Sequence, residues 1–198
     1  QKHVHKSQLV FGTYIAVDVC LRMPSRAPRE IDRLAVQRLD LLGDGAYGEV
    51  YKAMLAEKGL PTYVVAAKAI KPGGGGGADA SALRADLLKE AALMAMLDHS
   101  NVVHLIGVVT APRNIPALML MEYCEKGTLL DFVRAEAVSN HTQLSLIADV
   151  ASGMEYLSAR RIVHRDVAAR NVLLDAALCA KVADFGMSVA MSDGDYYI

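Results

Sequence analysis

Two charged residues stand in sequence patterns that are otherwise apolar, and together they limit how this chain can fold. Lys68 alternates with apolar residues along a strand candidate at 62–71, in the row Val64, Ala66, Lys68, Ile70. Alternate residues of a strand point to one face of a sheet. Glu90 falls inside the apolar stripe of the helix candidate that follows, which is formed by Leu83, Leu87, Ala91 and Met94. Because a buried charge is costly without a partner, the sequence predicts a Lys68–Glu90 pair. The alternative is a lysine whose stem lies along the sheet and whose amine reaches water.

A glycine-rich segment at 42–50 reads Leu-Gly-Asp-Gly-Ala-Tyr-Gly-Glu-Val and has the spacing Gly-x-Gly-x-x-Gly. Residues 49–53 look like a second strand, so we expect the motif in a hairpin. A dinucleotide-binding fold would open a helix at these glycines instead. Glycine lets backbone N–H groups approach phosphate oxygens closely, which suits a flap over phosphates. By itself, the motif is a weak signal, and the alternative is a turn that contains spare glycines.

The strongest local signal is His164-Arg165-Asp166, with four residues between Asp166 and Asn171. Asp184-Phe185-Gly186 follows a short strand candidate. Each piece alone occurs by chance. The ordered set of glycine segment, strand lysine, helix glutamate and these two motifs is that of phosphoryl-transfer enzymes, short of the last element.

With Val65–Lys68 and Met121–Cys124, these segments make residues 34–198 resemble the first two thirds of a protein kinase domain, specifically a tyrosine kinase. Serine/threonine kinases usually place a lysine two residues after the catalytic aspartate. Here that position is Ala168, and Arg170 comes four after the aspartate. The Ala-Ala-Arg order resembles receptor tyrosine kinases and several cytoplasmic ones.

The resemblance implies an α+β, kinase-like fold with two lobes. We expect an N-terminal extension or linker at 1–33 and a partial kinase domain at 34–198. In that domain, a β-rich N-lobe with one main helix and the hinge occupies 34–124. The helical start of the C-lobe, up to the activation loop, occupies 125–198. Helices are predicted from Asp79 or Ser81 to about 97, at 128–135 and at 139–160.

The resemblance also implies ATP and Mg²⁺ as cofactors and assigns roles to the catalytic residues. Lys68 would hold the α- and β-phosphates, with Glu90 fixing its side chain. Asp166 would accept the tyrosine hydroxyl proton, and Arg170 would neutralise charge near the γ-phosphate. The two metal ligands would be Asn171 and Asp184.

The nucleotide site implied by the resemblance comprises the glycine segment, the adenine-contacting residues and the hinge. Met121 falls at the gatekeeper position, and the backbone of Glu122 and Cys124 would contact the edge of adenine. The full set is Leu42, Gly43, Asp44, Gly45, Ala46, Tyr47, Gly48, Glu49, Val50, Ala66, Lys68, Met121, Glu122, Cys124 and Leu173.

Regulation is expected at the paired Tyr196 and Tyr197, which resemble the phosphorylation sites of a receptor-type activation loop. Arg165 would be the partner of a phosphate there. Phe185 would belong to a stack of four side chains that links the lobes, together with Met94, Leu105 and His164.

Composition limits the partners of this chain. It has 198 residues, of which 53% are hydrophobic and 22% charged, which is typical of a globular protein. The net charge of −1 provides no overall field for nucleic acid or anionic lipid. Three cysteines without a Cys-x-x-Cys motif fit a reducing compartment.

We therefore expect a cytoplasmic protein, held at the cytoplasmic side of the plasma membrane only if an anchor lies outside this segment. Its expected partners are tyrosine-containing proteins, not nucleic acid, and a second kinase copy for trans-autophosphorylation.

Three alternatives remain beside an active tyrosine kinase. A pseudokinase or scaffold predicts loss of Lys68, Asp166 or Asp184, and none of them is lost. A serine/threonine kinase is disfavoured by Ala168 and Arg170. The third is an inactive fragment, because the family's APE segment and later helices would follow residue 198.

Overall fold

The computed structural model describes residues 27–45, 48–70, 80–135 and 137–191. Its strands are β1 (Val36–Gly45), β2 (Gly48–Leu55), β3 (Tyr63–Ala69), β4 (Leu105–Val109), β5 (Leu118–Glu122), β6 (Gly127–Thr128), β7 (Ile162–Val163), β8 (Val172–Leu174), β9 (Ala180–Val182) and β10 (Val189–Ala190). Its helices are α1 (Ala80–Met94), α2 (Leu129–Ala135) and α3 (Asn140–Ala159), with 3-10 turns at Arg33–Ala35 and Ala169–Asn171.

The first half of the described chain is a five-stranded antiparallel sheet in the order β1-β2-β3-β5-β4, with α1 between β3 and β4 in sequence. The second half begins with α2 and α3 and adds two small sheets, β6-β8-β9 and β10-β7. The α+β architecture expected from the sequence, with a β-rich first half that contains one helix and a helical start to the second half, is therefore confirmed.

The large sheet is packed on both faces along β3, β4 and β5, whereas β1 is exposed along almost its whole length. One face packs into a cluster that includes Leu55, Val65, Leu118 and Leu120, all buried. The opposite face carries Lys68, which is paired in register with Val50 and Met119. On this side Met119 belongs to the main core, whose other members come from α1, α3 and the segment around Phe185. The second face of the sheet is therefore the one that looks toward the catalytic residues.

Residues 29–33, which we call the N-terminal strap, pack on the sheet although the sequence assigns them to the extension. The strap pairs in parallel with β4 through Glu30 and Val108, and Ile31 is 3% exposed within the core of the first face. A Cβ on Gly107 would lie 2.5 Å from the carbonyl oxygen of Arg29. This close approach requires glycine at position 107.

Helix α3 agrees with its predicted limits, because Ser139 caps it by accepting a hydrogen bond from the Thr142 N–H. The sequence predicts this helix from an apolar stripe that consists of Leu144, Ile147, Ala148, Ala151, Met154 and Leu157. The first four of these are exposed, Leu144 by 67% and Ile147 by 64%, and only Leu157 is fully buried. The other buried residues of the helix, Leu146 and Gly153, lie outside that stripe. The helix therefore has two apolar sides, and the described chain covers one of them.

Helix α1 ends earlier than the sequence predicts, and one of its two candidate caps is excluded. Ser81 lies inside the helix, so its assignment as a cap is wrong, and Asp79 lies outside the described residues. The helix ends at Met94, and Leu97 continues in a turn by donating to the Met94 carbonyl. None of the described helices is both long enough and apolar enough to cross a membrane.

Candidate active site

The Lys68 amine lies 2.8 Å from both carboxylate oxygens of Glu90, as the two sequence patterns predict. Strand β3 presents the lysine and α1 presents the glutamate, which is 8% exposed. Burial raises the pKa of Glu90 above its ordinary 4.5, although Lys68 opposes the shift. The carboxylate is therefore an anion that depends on its partner amine to remain ionised.

Asp184 stands on the other side of Lys68, with its carboxylate 3.5 Å from the amine. Its backbone φ is +61°, a sparsely populated conformation for a residue with a side chain. This conformation turns the 52%-exposed carboxylate toward Lys68, while the next residue, Phe185, is 1% exposed. Lys68 thus contacts one buried and one accessible carboxylate.

Phe185 packs edge-to-face on His164, with 5.1 Å between the ring centroids. Met94 and Leu105 are buried in the same core as Phe185. His164 is 1% exposed, and its Nε2 lies 2.9 Å from the Ala183 carbonyl oxygen. The four side chains assigned to the stack between lobes are therefore all buried, and their regulatory role stays a prediction.

The loop that contains Asp166 holds this carboxylate with two side chains. The Asn171 amide donates to the Asp166 Oδ2 and to its carbonyl oxygen, both at 2.8 Å. The Arg170 guanidinium also donates to the carboxylate. The Asn171 hydrogen bond, followed by that of Arg170, lowers the pKa of Asp166 below its ordinary range. Arg165, just before it, has a φ of +69°.

A cavity of about 500 Å³ lies between α1 and the segment after Asp184, and residues from the elements described above line it. Its lining includes Lys68, Glu90, Asp166 and Asp184. The predicted catalytic residues, which come from a strand, a helix and two loops, thus border one space. Arg170 and Asn171 reach it through their contacts with Asp166.

The glycine segment forms the β1–β2 hairpin, as expected, with Gly43 paired to Val50 and Gly45 to Gly48. A Cβ on Gly48 would lie 2.3 Å from the Ala69 carbonyl oxygen, so the start of β2 approaches the end of β3 this closely only because position 48 has no side chain. Asp44 and Glu49 are also paired across the two strands. Ala46 and Tyr47 lie outside the described residues.

The predicted adenine contacts lie on the lysine face of the sheet and beside it. The register places Val50, Ala66 and Met121 on that face. Leu173, on β8, packs against the same core as Met121. Cys124 is 6% exposed at the hinge, whereas Leu42 is 46% exposed. The structure thus brings four of these side chains to one side and leaves Leu42 open to solvent.

An ion pair that the sequence analysis missed joins the hinge to the segment before Asp184. Lys181 lies 3.1 Å from Glu122, and it also donates to the Ser100 carbonyl oxygen at 2.9 Å. The Glu122 carboxylate accepts a hydrogen bond from the His104 N–H. Lys181 stands between buried Ala180 and Val182, so its side chain leaves the opposite face of β9. This alternation is ordinary for a half-buried strand, whereas Lys68 interrupts the apolar row of its own face. The sequence therefore contains no comparable signal for Lys181.

Oxygen atoms suited to Mg²⁺ are present in the Asp184 carboxylate and the Asn171 amide. In proteins, Mg²⁺ usually binds only one or two carboxylates, and its other ligands are phosphate and water oxygens. The donor chemistry therefore fits this ion. Among the described residues, no group of three His, Cys, Asp or Glu side chains converges to hold a metal.

The expected phosphorylation sites, Tyr196 and Tyr197, lie outside the described residues.

The sequence model of the family described as protein tyrosine and serine/threonine kinase matches residues 36–198. This chain belongs to that family. Proteins of the family use ATP with a divalent cation, in agreement with the expected cofactors. The kinase resemblance inferred from the sequence motifs is thus confirmed.

Among curated relatives, the chain is 41% identical to Ephrin type-B receptor 3 of Danio rerio over 167 residues, which are 83% of this chain and 32% of the receptor. It is 40% identical to Ephrin type-B receptor 4b of Danio rerio over 163 residues, covering 81% of this chain and 16% of the receptor. It is 38% identical to Ephrin type-B receptor 1 of Gallus gallus, with coverage of 83% and 16%. The chain thus spans a third or less of these relatives.

Proposed function

We propose that this kinase-family chain contributes the catalytic residues of an ATP-dependent protein tyrosine kinase. The observation that carries the proposal is the Asp166 carboxylate, held ionised by Asn171 and Arg170 on the cavity that also contains Lys68 and Asp184. Phosphoryl transfer needs mainly positioning and charge stabilisation, and these residues suit both tasks.

Lys68 would hold the α- and β-phosphates of ATP, because Glu90 fixes its amine between two carboxylates. The backbone of the glycine hairpin would cover the phosphates. Asp184 and Asn171 would hold Mg²⁺, which when bound supplies neutralisation of phosphate charge. Adenine would lie against the face of the sheet that contains Val50, Ala66 and Met121, beside Leu173 and the hinge.

Asp166 would accept the proton of the attacking hydroxyl and orient its oxygen for in-line attack. A lowered pKa keeps it ionised at neutral pH, as that role requires. Arg170, whose side chain is 59% exposed, would neutralise charge near the γ-phosphate. Because it approaches from beside Asp166, it leaves room for the phenol of tyrosine.

Tyrosine as the acceptor is supported by Ala168 and Arg170 in place of the lysine that serine/threonine kinases use. The names of the relatives describe them as receptors. By analogy, we place this domain at the cytoplasmic side of the plasma membrane. Tyr196 and Tyr197 would be phosphorylated by a second copy, and Arg165 would pair with the added phosphate.

The test is phosphoamino-acid analysis after a full-length form of the protein has phosphorylated a mixed set of protein substrates. We expect phosphotyrosine. Mostly phosphoserine would contradict the acceptor assignment. If the protein binds nucleotide but transfers no phosphate, and if Lys68→Met abolishes that binding, the pseudokinase alternative would be favoured.

A further inference from the structure

The N-terminal strap, residues 29–33, is fixed to the sheet by side chains as well as by its backbone. The Ile31 N–H donates to the Val108 carbonyl, and the Val108 N–H donates to the Arg29 carbonyl, both at 2.8 Å. Arg33 donates to the carbonyls of Ala111 and Pro116. Because Ile31 is also buried, backbone hydrogen bonds, side-chain hydrogen bonds and apolar contacts all hold this segment on the sheet.

Thr110, directly after β4, connects the strap with helix α1. The Glu30 carboxylate accepts from the Thr110 N–H at 2.7 Å and from its hydroxyl at 3.0 Å. The Thr110 carbonyl oxygen in turn accepts from the Arg84 guanidinium at 2.6 Å. A carboxylate of the strap and a guanidinium of α1 therefore bind one residue, and each hydrogen bond is strengthened by a charge.

The helix that carries Arg84 also carries Glu90. Six residues of an α-helix span about 9 Å, so the two side chains are less than two turns apart. A helix this short moves largely as one body. The bond between Arg84 and Thr110 thus restrains the position from which Glu90 reaches Lys68.

We propose that Glu30 and Arg84, joined through Thr110, are positioning residues that hold α1 where Glu90 pairs with Lys68. The strap is thereby connected, through Thr110 and α1, to the partner of Lys68. The effect on catalysis rests on the kinase function proposed above, whereas the effect on the helix does not.

The test compares Glu30→Gln, Arg84→Gln and their double variant with a matched control, Arg29→Gln. Arg29 belongs to the same strap, but its guanidinium pairs with Glu57 in the β2–β3 connection. Hydrogen–deuterium exchange of the whole chain without nucleotide reports on α1. We expect exchange of residues 83–94 to rise about fivefold in both single variants, and no further in the double variant.

Arg29→Gln should leave exchange of α1 within about twofold of the unchanged protein. In a full-length form, Glu30→Gln should lower kcat/KM for ATP about fivefold, whereas Arg29→Gln should not. Equal loosening of α1 by Glu30→Gln and by the control Arg29→Gln would overturn the proposal. Additive effects of Glu30→Gln and Arg84→Gln would overturn it as well. If α1 responds as expected but the unchanged protein transfers no phosphate, the link stands and the proposed function fails.

Discussion

Asn171 binds Asp166 twice, through one amide nitrogen that lies 2.8 Å from the aspartate's carbonyl oxygen and 2.8 Å from its Oδ2. One side chain thus fixes both the backbone and the carboxylate of the proposed base. The same residue offers an amide oxygen for Mg²⁺. In the proposed function, positioning of the base and binding of Mg²⁺ would therefore both depend on the orientation of one amide group.

Replacing Asp166 with Asn should lower kcat on a tyrosine peptide about 10²- to 10⁴-fold, because the base is lost while the shape of the side chain is kept. The control is Glu155→Gln, which removes a carboxylate from an exposed position on α3. Both are measured by steady-state kinetics in a full-length form of the protein. Near-normal turnover by Asp166→Asn would reject this residue as the base.

The pKa values of Glu90 and Asp166 are shifted in opposite directions, and this predicts which group causes the loss of activity at low pH. Burial raises the pKa of Glu90, whereas the Asn171 hydrogen bond lowers that of Asp166. As pH falls, Glu90 is therefore protonated first and loses its ionic attraction to Lys68. In profiles of kcat/KM against pH, we expect Glu90→Gln to lower activity overall and to move the acid limb to lower pH. If the acid limb of the profile stays at the same pH in Glu90→Gln, another group causes the loss of activity at low pH.

The same shift of Glu90 has an opposite consequence for stability. A carboxyl whose folded pKa is raised binds its proton more tightly in the folded state than in the unfolded state. Its contribution to the unfolding free energy is therefore most favourable below the ordinary value of 4.5 and declines as pH rises through the folded pKa. Urea unfolding of the chain and of Glu90→Gln across this range measures the difference.

Gly153→Ala should destabilise the chain by about 1–3 kcal/mol, as overpacking of a core does. The new Cβ would lie 2.5 Å from the Asn101 carbonyl oxygen and 3.2 Å from a methyl group of Val182. That carbonyl cannot withdraw freely, because it accepts the Val182 N–H at 2.9 Å. Gly43→Ala is the control, since a Cβ there meets nothing within 4 Å. Equal urea midpoints for the two variants would contradict the close packing.

Cys124 should resist alkylation in the folded chain. Burial, followed by the charge of Glu122, raises its pKa to about 12. At pH 8.5 the reactive thiolate is then about three parts in ten thousand. Mass spectrometry after iodoacetamide treatment should show the half-buried Cys179 modified well before Cys124. Modification of both at the same rate would mean that the hinge opens readily.

The uncovered side of α3 predicts self-association. Ile147 and Val167 are 64% and 53% exposed, and they line an apolar groove of about 750 Å³ with α2. Exposed apolar patches of this kind drive association. Analytical ultracentrifugation of the 198-residue chain should show it, and Ile147→Lys should weaken it about tenfold. Ser145→Lys, with the same charge at an exposed polar position, should have little effect.

The Lys68–Glu90 contact was predictable because each residue interrupts a regular apolar pattern and has no local partner. The cap at Ser139 was predictable because a hydroxyl before a periodic run is a local signal. The Glu30–Thr110 contact was not, since its residues are 80 positions apart and neither stands in a repeating pattern. The catalytic and regulatory roles of the site residues stay predictions.

The strap also determines how the large sheet ends. In the order β1-β2-β3-β5-β4, the outer side of β4 would present unpaired N–H and C=O groups, on which a strand of another molecule can add. Bonds from Arg29 and Ile31 to Val108 occupy that edge. A chain that began after Asp32 would expose an apolar edge strand, and β-type aggregation between molecules would compete with its folding.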